Sequence, residues 1–244
     1  METWFGARSD YPFTLFSSSH LIVLAIALCG FLFVILFKNT LSATGALFQL
    51  LRWLLFSVLI LSEVSYQYWA ITHGFWSFNR YMPLHLCGVA SVTAMIGLWT
   101  LRPFWIRLSF FIGFAPAALA LVTPDMPYDY QHFRFWKFFV HHTVIAWASL
   151  FLAVAFPKSI TWRSVFTVYG LLLAYAALIG FWVNPWTESN YLYLSQRPTN
   201  VSPLDFFGDG LWYYLNLCLT ALLLFAAQYG IFHCLVHKKR NATK

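Results

Sequence analysis

Residues 83–101 read PLHLCGVASVTAMIGLWTL, a run with no charged side chain that opens on Pro83-Leu84-His85-Leu86-Cys87. At 19 residues it is close to the ~20 needed to cross a bilayer as a helix. Such a run sets a histidine and a thiol at membrane depth, where ionisable or reactive groups are expensive and therefore functional suspects. Reading outward, the same apolar texture recurs to both ends of the chain. Of the 244 residues 60% are hydrophobic and 9% charged, with a mean hydropathy of +0.66. Soluble domains carry about 25% charge, so the expectation is an all-α integral membrane protein.

The pattern predicts a seven-transmembrane-helix bundle with spans at Ser18–Phe37, Ala46–Thr72, Pro83–Leu101, Phe104–Thr123, Phe133–Phe156, Val165–Val183 and Gly210–His233. Ser17, Ser18 and Ser19 suit the first N-cap. Pro83 suits the first turn of the third span, where its missing N–H costs little. Gly113 and Pro116 permit a kink in the fourth. No hydrophilic block is large enough for a separate soluble unit, so 1–244 reads as one membrane domain without a cleaved leader. All four cysteines (29, 87, 218 and 234) fall in spans, which disfavours a disulfide framework. No internal repeat supports an inverted-repeat transporter.

The net charge of +7 is carried one or two residues per loop, as topology requires, and gives no sign of a nucleic-acid partner. Arg8, Arg80, Arg134, Lys137 and Arg197 fall on one side of the bundle, and the other ten basic residues fall on the opposite side. Five against ten places the N-terminus outside and the C-terminus in the cytoplasm. Residues 184–209 lie on the outer side and are too long and too aromatic for a bare connector; they read as a cap or lid. Asn200-Val201-Ser202 is a weak glycosylation pattern on that side.

With that topology, His20, Glu63, Gln67, His85, Cys87, His141, His142 and Asn216 all fall in the outer half of the membrane. One membrane histidine or cysteine is commonly a packing group, but a carboxylate such as Glu63 must be paired, protonated or wetted. Glu63 and Gln67 are spaced i,i+4 and share a helix face. His85 and Cys87 are two residues apart, ~200° around a helix, so only one of them is expected to face a site squarely. His141 and His142 are ~100° apart, and again one is expected to face inward. A thiol beside an imidazole suits nucleophilic attack on an ester, with a carboxylate orienting the ring. Metal binding and helix packing are the rival uses of the same residues.

Pro-Leu-His-Leu-Cys at 83–87, Phe-Phe-Val-His-His at 138–142, Asn-Tyr-Leu-Tyr-Leu at 190–194, Arg197-Pro198 and Ser202-Pro203-Leu204-Asp205 resemble the YwaF-like bacterial integral membrane proteins. That family is distantly similar to a eukaryotic transmembrane ether-phospholipid acyltransferase, and in overall fold to androgen-induced-gene-type hydrolases. The resemblance implies Cys87 as nucleophile and His142 as base, and gives His141 no clear counterpart. From the residues themselves, His20, Glu63, Gln67, His85, His141, Asn190, Tyr191, Asp205 and Asn216 are expected in supporting or substrate-binding positions, with His85, His20 or Asn190 as oxyanion donors and Glu63 orienting a histidine. Thr143, Asp209 and Leu211 depart from the family's pattern. What is implied is a phospholipid acyltransferase or lipid ester hydrolase of the bacterial plasma membrane, with a membrane lipid as partner and no metal or cofactor. The alternative is a non-enzymatic polar cavity that binds or transports a small ligand, a metal or protons.

Overall fold

The computed structural model describes residues 4–41, 45–198 and 202–237. The described chain is helical, with one isolated bridge between Pro12 and Tyr128. Seven main helices follow in order: α1 (Ser18–Leu36), α2 (Ala46–Thr72), α3 (Leu86–Thr100), α4 (Pro103–Val122), α5 (Phe133–Ala155), α6 (Trp162–Thr187) and α7 (Leu211–His237). Six are long and apolar enough to cross a membrane, and α3, with 15 residues, is the exception. At 1.5 Å per residue α3 reaches ~22 Å, short of the ~30 Å hydrocarbon core.

The shortfall has a local cause. Pro83 was expected inside the first helical turn, but the chain enters it from Met82 in extended conformation (ψ 139°), as a residue before proline prefers. His85 is extended too (ψ 157°), and helix begins only at Leu86. The turn then folds back on the helix so closely that a Cβ at Gly88 would lie 2.5 Å from the Pro83 carbonyl oxygen. Glycine is the residue that permits that approach. At the other end, Arg52 of α2 donates to the carbonyls of Leu98 (2.5 Å) and Trp99 (2.7 Å), which are orphan acceptors of the last turn of α3.

α5 is the axis of the bundle. Every residue from His141 to Val154 except Trp147 is buried, as expected of a helix that is apolar all round. α1, α2, α6 and α7 instead turn large apolar side chains outward, among them Leu21, Leu61, Phe181 and Leu223, as a lipid-facing ring does. Two helices widen to π geometry, α4 at Phe110–Phe114 and α6 at Ile179–Val183. In α4 the widened turn falls just before Pro116, where the helix cannot complete its regular bonds; Gln228 of α7 donates to the Phe110 carbonyl at 2.5 Å. The kink expected from Gly113 and Pro116 therefore takes the form of a π-bulge. Ser17 is the N-cap of α1, accepting from the His20 amide.

The connector after α6 folds onto the bundle, as a cap does. Helix continues through Asn184–Thr187, and short turns follow at Tyr191–Tyr193 and Pro203–Phe207. Asn200 of the glycosylation pattern lies outside the described residues, as do Glu2 and the basic residues from Lys238 onward.

Candidate active site

A cavity of 930 Å³ lies between the cap, the turn before α3, and helices α2, α4, α5, α6 and α7. Cys87, the second residue of α3, lines it, and so does His85, one step outside the helix. Both face the same space because His85 is not helical; the ~200° separation expected for two residues of one helix does not apply. The His85 ring is held against Tyr191 (5.1 Å between centroids, edge-on) and Tyr193 (5.4 Å). Tyr175 of α6 steadies the turn by donating to the Leu84 carbonyl at 2.7 Å.

Both α5 histidines also line the cavity, where one was expected to. His142 Nδ1 is 2.8 Å from the Phe138 carbonyl of its own helix. A carbonyl only accepts, so Nδ1 carries the proton, and a neutral ring keeps its lone pair on Nε2. That is the tautomer a general base needs. His141 Nδ1 meets Ser62 Oγ at 3.1 Å, and its Nε2 is 4.0 Å from Glu63 Oε2. Any carboxylate–imidazole relation at Glu63 thus involves His141, whereas His142 is oriented by backbone. The Cys87 thiol and the His142 ring share the cavity without a direct hydrogen bond.

The remaining sequence candidates divide by position. Glu63 lines the cavity; its Oε1 accepts from Gln67 at 2.7 Å and its Oε2 is 3.7 Å from Lys137 Nζ. Gln67 stands behind it, donating also to the Tyr81 carbonyl (2.9 Å) and accepting from Trp76 Nε1 (2.8 Å). His20 is fully buried away from the cavity. Its Nδ1 accepts from the Phe16 amide (3.0 Å) and its Nε2 donates to the Leu121 carbonyl (2.8 Å), so both ring nitrogens are committed to backbone.

Asn190, Tyr191, Asp205 and Asn216 shape the cap. Asn190 Oδ1 accepts from the Ser195 and Gln196 amides, and its Nδ2 donates to the Gln196 carbonyl. The buried Tyr191 hydroxyl donates to the Phe78 carbonyl, and Asn184 brackets the Tyr191 backbone from both sides. Asp205 Oδ2 accepts from the Ser202 amide, and Asn216 of α7 donates to the Phe207 carbonyl. Asp209 accepts from Arg197. These bonds hold Leu192 (φ 60°) and Tyr193 (φ 55°) in left-handed backbone, which costs branched or bulky residues of order 1–3 kcal/mol each. The result turns Leu192, Tyr193 and Leu194 into the cavity.

Sequence reasoning placed Lys137 and Arg80 among the topology charges and assigned Asp125 and Tyr193 no site role; all four line the cavity. For Lys137 a signal was present: it precedes His141 by four residues, the spacing that puts both on one helix face. Tyr193 donates to Asp125 Oδ2 at 3.4 Å, and burial, with the Asp125 carboxylate second, pushes its phenol up to about 12. It therefore remains a hydrogen-bond donor at neutral pH.

The rest of the lining is largely apolar and includes Leu172, Leu173, Ala176 and Ala177 of α6 and Leu217 and Ala221 of α7. Among the described residues no group of three or more His, Cys, Asp or Glu side chains is placed to hold a metal ion. All four cysteines are free.

A multi-pass helical membrane protein with a mixed polar and apolar cavity under a cap is the class these features define. More particularly, residues 15–229 match the TMEM164 family, and the chain belongs to it. Comparison with curated proteins and with solved structures found no match.

Proposed function

We propose that the protein is a membrane enzyme acting on lipid acyl groups, with Cys87 as nucleophile and His142 as base. The observation that carries this reading is the shared cavity. Its lining includes a thiol and an imidazole whose Nε2 is left as acceptor, together with aliphatic side chains suited to an acyl chain. In the reaction His142 Nε2 takes the Sγ proton, the thiolate adds to the acyl carbonyl, and the leaving alkoxide recovers the proton. Water then releases a free acid, or a lysolipid hydroxyl takes the acyl group. His85, between Tyr191 and Tyr193, is the candidate donor to the tetrahedral oxyanion.

The kinship with YwaF-like proteins and lipid acyl enzymes, the seven-span count including α3, the outside N-terminus and the bacterial plasma membrane belong to the same proposal. The charge bias of five against ten supports the orientation. Lipid profiling of cells carrying wild type, Cys87→Ala, Cys87→Ser or His142→Ala at equal expression tests it. Loss of the wild-type lipid change in all three is expected; three variants matching an active wild type would sink the catalytic reading.

The Glu63–Lys137 pair favours a second reading, a cavity that binds or moves a small polar ligand or protons. It expects Glu63→Gln to abolish the effect and Cys87→Ala to leave it intact.

A further inference from the structure

Lys137 is a largely buried cation lining the cavity that the proposed chemistry leaves unused. Its side chain is 14% exposed, and its ammonium stands 3.7 Å from Glu63 Oε2 and 4.3 Å from the centre of the Tyr66 ring. A lysine collapsed onto its carboxylate comes within ~2.7–2.9 Å. At 3.7 Å the ammonium is drawn toward Glu63 without being consumed by it. Glu63 in turn is held back by Gln67 at 2.7 Å, and Gln67 by the Tyr81 carbonyl and Trp76. This chain ties down the carboxylate beside Lys137, which lines the same cavity as Cys87.

We propose that Lys137 is the electrostatic partner of the Cys87 thiolate, a positioning residue that stabilises the anion while His142 carries the proton. Lys137 keeps its own protons throughout: the Sγ proton goes to His142 Nε2, and the negative charge beside Lys137 passes from sulfur to the acyl oxygen and back. Glu63 limits the effect, because it neutralises part of the ammonium's field. The assignment rests on Cys87 being the reactive atom, not on any particular lipid.

Other groups face the same space from every side. Glu63 and Tyr66 come from α2; Arg80, Tyr81 and His85 from the segment before α3; Asp125 from the loop after α4; His141 and His142 from α5; Tyr193 from the cap; and Tyr214 and Cys218 from α7. Asp125 and Glu63 oppose a thiolate. Arg80 is exposed at the cavity edge, where solvent screens it.

The test is the pH profile of Cys87 alkylation by iodoacetamide, read peptide by peptide by mass spectrometry on the full-length protein in detergent micelles. Lys137→Met is expected to slow Cys87 labelling at pH 7.5 about tenfold and to raise the profile midpoint by about one unit. Lys137→Arg is expected to remain within about threefold of wild type, since the charge is kept. Glu63→Gln is expected to speed labelling, because the ammonium then acts on the sulfur alone. It also keeps the question open to test should Lys137→Met not fold. An unchanged midpoint in Lys137→Met, equal slowing in Met and Arg variants, or slower labelling in Glu63→Gln would each overturn the assignment. No lipid enters this assay, so its failure is separable from failure of the acyl-transfer reading, which the lipid profiles decide.

Discussion

At one end of α5, Phe151 stacks on Phe48 of α2 with ring centroids 4.9 Å apart and neither side chain accessible. At the other end of the same helix, Lys137, His141 and His142 border 930 Å³ of open space. The closed end is built from continuous helices, the π-bulge of α4 at Phe110–Phe114 included, and filled by phenylalanine, leucine and alanine, with Ile106, Phe110 and Leu152 also fully buried. The open end is built from broken backbone: the extended turn at 82–85, the π-bulge at Ile179–Val183 and the left-handed pair Leu192 and Tyr193. In a membrane the non-helical backbone must be satisfied by protein, and here Tyr175, Asn184, Asn190 and Tyr191 supply the bonds. The difference teaches that one end carries the packing energy, while the other holds strained and polar groups at positions a regular helix would not reach.

The sharpest way to break the comparison is Phe151→Ala. Losing a fully buried ring at the closed end should cost near the low end of ~3–5 kcal/mol, since the membrane offers the exposed neighbours another apolar solvent. Thermal unfolding in detergent should show the drop, with the Cys87 alkylation rate of the folded fraction unchanged. Slower alkylation at unchanged stability would mean that the two ends are not separable.

Gly88→Ala reverses the pattern. Its methyl would meet the Pro83 carbonyl at 2.5 Å, so the turn that carries His85 must move. A stability loss of ~1–3 kcal/mol is expected, together with a large change in Cys87 reactivity. A variant with wild-type labelling would show that the turn's position does not govern the thiol.

The smallest effect is expected from Tyr191→Phe. The change removes the bond to the Phe78 carbonyl and leaves the ring in place, at a cost of ~1 kcal/mol. Limited proteolysis should then cut the cap faster between Tyr191 and Pro198, with global unfolding barely shifted. Equal protection of the cap would show that Asn184 and Asn190 hold it unaided.

Much of the fold was legible because membrane spans are written in composition. Ala46–Thr72 is bounded in the structure where the apolar run predicts, and α1, α4 and α5 agree within a residue or so at each end. Glu63, His85, Cys87, His141 and His142 were legible as polar groups in apolar spans; that both members of each close pair line one cavity was not, because helix geometry predicts that one of each faces it. Gln67, Asn190, Tyr191, Asp205 and Asn216 were found as polar or aromatic anomalies, but their bonds run to backbone and to one another. A sequence shows that such a side chain needs a partner and does not show whether the partner is a ligand or a carbonyl. His20 is the clearest case, with both ring nitrogens spent on backbone.

Sequence alone determined that the chain is a helical membrane protein and where six of its seven expected spans lie. Hydrocarbon admits few other solutions for runs of that length and charge. Tertiary structure alone decided that α3 starts at Leu86, that both histidines of α5 meet the cavity, and that Lys137 joins Glu63 inside it. Those outcomes depend on where Pro83 bends the chain, how closely Gly88 lets the turn approach, and which helices surround α5. Each is a relation between segments distant in sequence or a departure from regular helix, which periodicity cannot express.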